Sequence, residues 1–170
     1  YNGLFSNFSA GQIKNLTVEV ATGKKVKGGD FTGIIIGRNV NGSLVNCSVK
    51  GTVEGTGHVG GVVGYVENTT ISAISANATV IGTTYVGGLA GQAMNCTITT
   101  CNATTVISSS GENSKVGGLI GSAKGGSISN CSTQNNLTAA GETNYVGGLV
   151  GYSETPISLS FSNGDVAATG

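Results

Sequence analysis

Apolar positions along this chain follow no helical period. They come in short clusters with local alternation, separated by glycine, asparagine and serine. One cluster, Val59-Gly60-Gly61-Val62-Val63-Gly64, returns as Val86-Gly87-Gly88-Leu89-Ala90-Gly91, as Val116-Gly117-Gly118-Leu119-Ile120-Gly121 and as Val146-Gly147-Gly148-Leu149-Val150-Gly151. Diverged copies stand at Thr32-Gly33-Ile34-Ile35-Ile36-Gly37 and Tyr1-Asn2-Gly3-Leu4-Phe5-Ser6, so the starts lie 31, 27, 27, 30 and 30 residues apart. A second cluster, alternating with period two, follows each copy: from Gln12, Ser43, Thr70, Thr97, Ser127 and Ile157. A third and shorter one ends at Val53, Val80, Ile107, Leu137 or Val166.

Each repeat thus holds about three strand-like pieces joined by turn residues. A unit this small buries no core alone, but stacked units do, each strand pairing with its equivalent in the next. The pattern predicts an all-β fold: a parallel β-solenoid of about six turns, 27–31 residues per turn, forming a single repeat domain over 1–170. At ~4.8 Å per stacked strand it would be roughly 29 Å long.

The Gly-rich blocks resemble the GLUG repeat of bacterial and eukaryotic surface proteins. Gly88-Leu89-Ala90-Gly91, Gly118-Leu119-Ile120-Gly121 and Gly148-Leu149-Val150-Gly151 carry the resemblance, supported by Ile128-Ser129-Asn130-Cys131. It implies a stalk, adhesin or accessory role, and the motif brings no catalytic residue with it.

In the second cluster, alternation places Leu16, Cys47, Ile74, Cys101, Cys131 and Phe161 in one inward column, with Asn15, Asn46 and Asn130 pointing out. The Gly-rich block is small and apolar on both faces. It is either buried in a tight bend or offers a flat outer face to another chain. Cys101 and Cys131 are equivalents in adjacent turns, within reach of a disulfide. No Cys/His pattern of a zinc site occurs.

Asn-x-Ser/Thr occurs at Asn7, Asn15, Asn41, Asn46, Asn68, Asn77, Asn95, Asn102, Asn130 and Asn136. Composition alone would give roughly three or four such sequons, so N-glycosylation of a secreted or cell-surface chain is expected. Charged residues are 9% of the chain, and sugars would then supply the hydrated layer that charges usually provide.

Eight Lys and Arg balance eight Asp and Glu, which leaves no basic footprint for nucleic acid. No apolar run is long enough to span a bilayer as a helix. His58 is the single histidine, and the acidic residues are scattered, with Glu112 and Glu142 at equivalent positions. No catalytic constellation is expected, and no cofactor or metal. Tyr65 and Tyr152 follow Gly-rich blocks, and Tyr85 and Tyr145 precede them. Neither pair lies on adjacent turns, so no continuous aromatic platform is expected.

Neither end shows a polar cap. Tyr1, Gly3 and Leu4 at one end and Phe161 and Val166 at the other are expected to mediate end-to-end self-association into a filament. The alternative is a stalk or adhesin segment of a larger surface protein, with a surface carbohydrate as its ligand.

Overall fold

The computed structural model describes residues 1–142 and 144–169; Thr143 and Gly170 fall outside the described residues. Described elements are strands, turns and bends, all strand pairing is parallel, and the chain winds as a β-solenoid of about six coils. No helix is long and apolar enough to cross a membrane. Equivalent positions follow Asn2, Thr32, Val59, Val86, Val116 and Val146, so successive offsets are 30, 27, 27, 30 and 30 residues. The expected first offset of 31 is reached only from Phe5 onward, which pairs with Ile36, because the first bend is one residue shorter than the second.

Two sheets close around the core. The smaller is built from Phe31–Gly33, His58–Gly60, Tyr85–Gly87, Lys115–Gly117 and Tyr145–Gly147, one short strand per coil. The larger holds the remaining strands, including the long ones Ser43–Glu54, Thr70–Gly82, Asn102–Ser109, Ser132–Ala140 and Phe161–Thr169.

Between the sheets run unbroken apolar columns. Ile13, Leu44, Ile71, Ile98, Ile128 and Ile157 form one. Val26, Val53, Val80, Ile107, Leu137 and Val166 form another. In the middle coils these side chains are completely buried, each covered above and below by its own equivalent. The Cys column is Leu16, Cys47, Ile74, Cys101, Cys131 and Ser160, not Phe161. Phe161 pairs with Ser132 on the outward alternation and is 65% exposed. Three residues separate Lys124 from Ile128 but only Thr155 and Pro156 separate Glu154 from Ile157, and period two turns that one-residue shift into a change of face.

The Gly-rich bend is buried on both sides. Val59, Val62 and Val63 are inaccessible, and Gly64 and Gly91 are buried with them. A Cβ on Gly91 would sit 2.6 Å from Val59 N and 2.8 Å from Gly64 O. The two sheets therefore meet backbone to backbone at this bend, and no flat outer face remains for another chain. The first coil departs from the others between Val20 and Val26. Five residues there stand where the next coil has only Thr52, forming a turn closed by Lys24 N donating to Ala21 O at 2.9 Å.

Candidate functional site

Two corners per coil need a left-handed residue. At one stand Asn15 (φ 55°), Asn46, Ala73, Thr100, Asn130 and Leu159; at the other Ala10, Asn41, Asn68 and Asn95, followed by Gly125. Asparagine tolerates this conformation best among residues with a side chain, because its short amide bonds locally. Six of the ten sequon asparagines are therefore placed by backbone geometry. They also form ladders: Asn46 Nδ2 donates to Asn15 Oδ1 at 2.7 Å, and Asn68 Nδ2 to Asn41 Oδ1 at 3.2 Å. Asn7, Asn77, Asn102 and Asn136 lie on strands instead, and all ten are exposed.

Along the small sheet, the residue before each Gly-rich block forms a column; spacing alone places His58, Tyr85, Lys115 and Tyr145 at that shared position, but does not show their stacking. Tyr1 lies 4.9 Å from Phe31, which stacks on His58 at 4.6 Å. His58 stacks on Tyr85 at 4.6 Å with ring planes 11° apart. Lys115 Nζ lies 4.8 Å from the Tyr85 ring centre and 5.8 Å from that of Tyr145, continuing the column as a cation–π contact. Phe31 and His58 join Tyr1 to Tyr85 as an aromatic stack, whereas Lys115 separates Tyr85 from Tyr145, so the expected break between those two tyrosines is there and a cation bridges it. Because the rings cover one another's faces, only their edges remain free along the rod.

His58 Nε2 pairs with Gln92 Oε1 at 3.0 Å, and its Nδ1 lies 3.6 Å from Asp30 Oδ1. Burial lowers its pKa, partly opposed by the Asp30 charge. Tyr65 meets both Phe31 and His58 edge-on and donates to Glu67 Oε2. Burial pushes its pKa up to about 12.

All four cysteines are free and buried, so the expected Cys101–Cys131 disulfide is not present. Each thiol is satisfied by the carbonyl two residues back: Cys101 by Thr99 O at 3.3 Å and Cys131 by Ser129 O at 3.2 Å. Contact between the two sulfurs raises the Cys101 pKa and lowers that of Cys131. Among the described residues, no group of three or more His, Cys, Asp or Glu is placed to hold a metal ion.

Large exposed apolar side chains gather at the two ends of the coil. The first coil shows Tyr1, Leu4 and Phe5; the last shows Tyr145, Ile157, Leu159, Phe161 and Val166. Gly3 differs from the other end residues, being half-buried with its backbone against Gly33 O. Charge is divided as well. Lys14, Lys24, Lys25 and Lys27 lie in the first coil, whereas Glu142, Glu154 and Asp165 close the chain without a Lys or Arg among them. Lys25 and Lys27 share one carboxylate, Glu54, and Asp165 makes no ion pair among the described residues.

Two shallow grooves cross the outer face of the long strands. One, of about 400 Å³, is lined by Asn77, Thr79, Thr104, Val106, Gln134 and Asn136 among others. The second, of about 440 Å³, includes Ser75, Asn102, Ser132 and Phe161.

The model of the GLUG motif matches residues 82–108 and 112–138, each span running from the small-sheet strand through the Gly-rich bend to the long strand. No curated protein and no solved structure matches the chain.

Proposed function

We propose that this β-solenoid, two of whose central coils match the GLUG motif, is a non-enzymatic structural subunit, extracellular and N-glycosylated, that stacks head to tail into a filament. The observation that carries the reading is the confinement of exposed apolar side chains: eight of the ten large ones belong to the first and last coils.

The register inside the rod supports it. Continued by one step, the column through Lys115 and Tyr145 sets Tyr145 on the next copy's Tyr1. In the same step Ile157 meets Ile13, Val166 meets Val26, and the unpaired Asp165 arrives beside Lys25. Apolar columns and opposite charges coincide in one alignment. The second reading is a stalk segment of a larger surface protein, supported by the same faces, since a further coil of one chain would fill them equally well.

Electron microscopy and light scattering of the purified chain test the filament. Concentration-dependent rods that vanish in Leu159→Asp are expected. The charge reversal Asp165→Lys should weaken association, and Asp165→Lys combined with Lys25→Asp should restore it. A chain that stays monomeric at high concentration overturns the filament and leaves the stalk.

A further inference from the structure

Six of the eight Lys and Arg residues stand on paired strands: Lys14, Lys27, Arg38, Lys50, Lys115 and Lys124. Lys24 and Lys25 do not. They lie in the first coil, in the stretch of five residues that replaces Thr52 of the second. The chain leaves its neighbour after Val20, whose N donates to Lys50 O at 2.9 Å, and rejoins it at Val26, which pairs with Val53. Between them the turn is closed by one backbone hydrogen bond, Lys24 N to Ala21 O, and pivots on Gly23 at φ 75°. A Cβ on Gly23 would meet no atom within 4 Å, so the tip stands clear of the rod.

This difference decides which lysine bonds a protease reaches. An endoprotease binds its substrate extended and released from neighbouring strands, and exposed turn tips meet that need most easily. Lys14 and Lys27 share the first coil, yet the bond after each is held: Asn15 N donates to Val45 O at 3.1 Å and Gly28 N to Glu54 O at 2.9 Å. Lys50 is paired on both sides, with Glu19 and Asn77. To free the bond after Lys24, only the Lys24–Ala21 contact has to open. The side chains differ as well. Lys25 and Lys27 are tied to Glu54, whereas the exposed Lys24 ammonium makes no ion pair among the described residues. A free lysine at a turn tip is what an acidic specificity pocket takes.

We infer that the Lys24–Lys25 bond is a processing site for a lysine-directed serine endoprotease, and that cutting it detaches the first coil from the rod. Hydrolysis consumes one water: the C–N bond breaks, Lys24 gains a carboxylate and Lys25 an α-ammonium. The piece 1–24 carries Tyr1, Leu4, Phe5 and Ile13, and is then held to the second coil by non-covalent contacts alone, without a tether. This second half of the inference rests on the filament reading, in which Tyr1 and Ile13 receive Tyr145 and Ile157 of the preceding copy. The cleavage site itself does not.

Limited digestion of the full native chain, with trypsin as the probe and intact mass as the readout, tests the site. Early accumulation of 1–24 and 25–170 is expected. Lys24→Gln, a change on an exposed turn outside the joint, should survive roughly tenfold longer, since cleavage tracks the population of the opened turn. A first cut after any other lysine or arginine overturns the site. Under conditions where the intact chain forms rods, the cut chain should form none, and Lys24→Gln exposed to the same protease should still form them. A cut chain that elongates as before overturns the role at the joint and leaves the site standing. A chain that forms no rods before the cut overturns the filament reading and that role together, while the masses still decide the site.

Discussion

Thr100 shows at residue scale what a corner demands. It holds φ 55° where neighbouring coils use Ala73 and Asn130, and a β-branched side chain is poorly suited to that region. Thr100→Asn should therefore raise stability by about 1 kcal/mol, measured by denaturant unfolding. Asn39 is the opposite case, a polar group where the fold wants none. It is 1% exposed in a column with Val66 and Ala93, and its Oδ1 has no partner. Asn39→Val should stabilise the chain by about 1–3 kcal/mol. His58 adds a pH dependence. Burial depresses its folded pKa, so the unfolded chain binds the proton more readily. Stability should be full well above the unfolded value of about 6.5 and should fall as pH drops through it toward the folded pKa. His58→Gln should flatten the chevron-derived stability in that window.

At the scale of an element, the Gly-rich bend is the part least tolerant of change. Its glycines answer to close approach of the two sheets rather than to turn geometry. Gly91→Ala places a methyl against Val59 N and Gly64 O, with backbone on both sides and nothing to yield. A loss of about 3 kcal/mol is expected, at the upper end of overpacking costs, visible as a lowered Tm. The corners tolerate more, since asparagine, alanine, threonine and glycine all serve there. Alternation within the long strands was legible because period two separates Val49, Ala76 and Ala103 from the outward Lys50, Asn77 and Thr104. Phe161 misled because the corner before Ile157 is one residue shorter than its predecessor, which alternation does not mark, so Phe161 takes the outward place of Ser132 rather than the inward place of Cys131.

Across the whole molecule, stability is expected to be graded along the rod. Middle coils are covered on both sides, but Phe161–Thr169 is exposed throughout and pairs with one neighbour. In a stacked array each coil depends on its nearest neighbours. Amide exchange should be slowest around Thr70–Gly82 and fastest in the last strand. If the filament forms, protection of that strand should rise with protein concentration and weaken with salt, because Asp165 and Lys25 attract across a joint open to counterions.

The sequence by itself determined the coil: repeat length, strand number per turn, parallel stacking and the resemblance to the GLUG motif all follow from recurrence, since equivalent residues must stack to bury a core. It also revealed which asparagines could bear sugar. It did not reveal which amides bond between coils, as those of Asn46 and Asn68 do. That depended on φ at each corner and on amides meeting between coils. The ring stacking along the small sheet, the free state of the Cys101 and Cys131 thiols and the closed Gly-rich bend were likewise decided by tertiary structure. Each depends on distances across coils of unequal length, and linear spacing does not carry those distances.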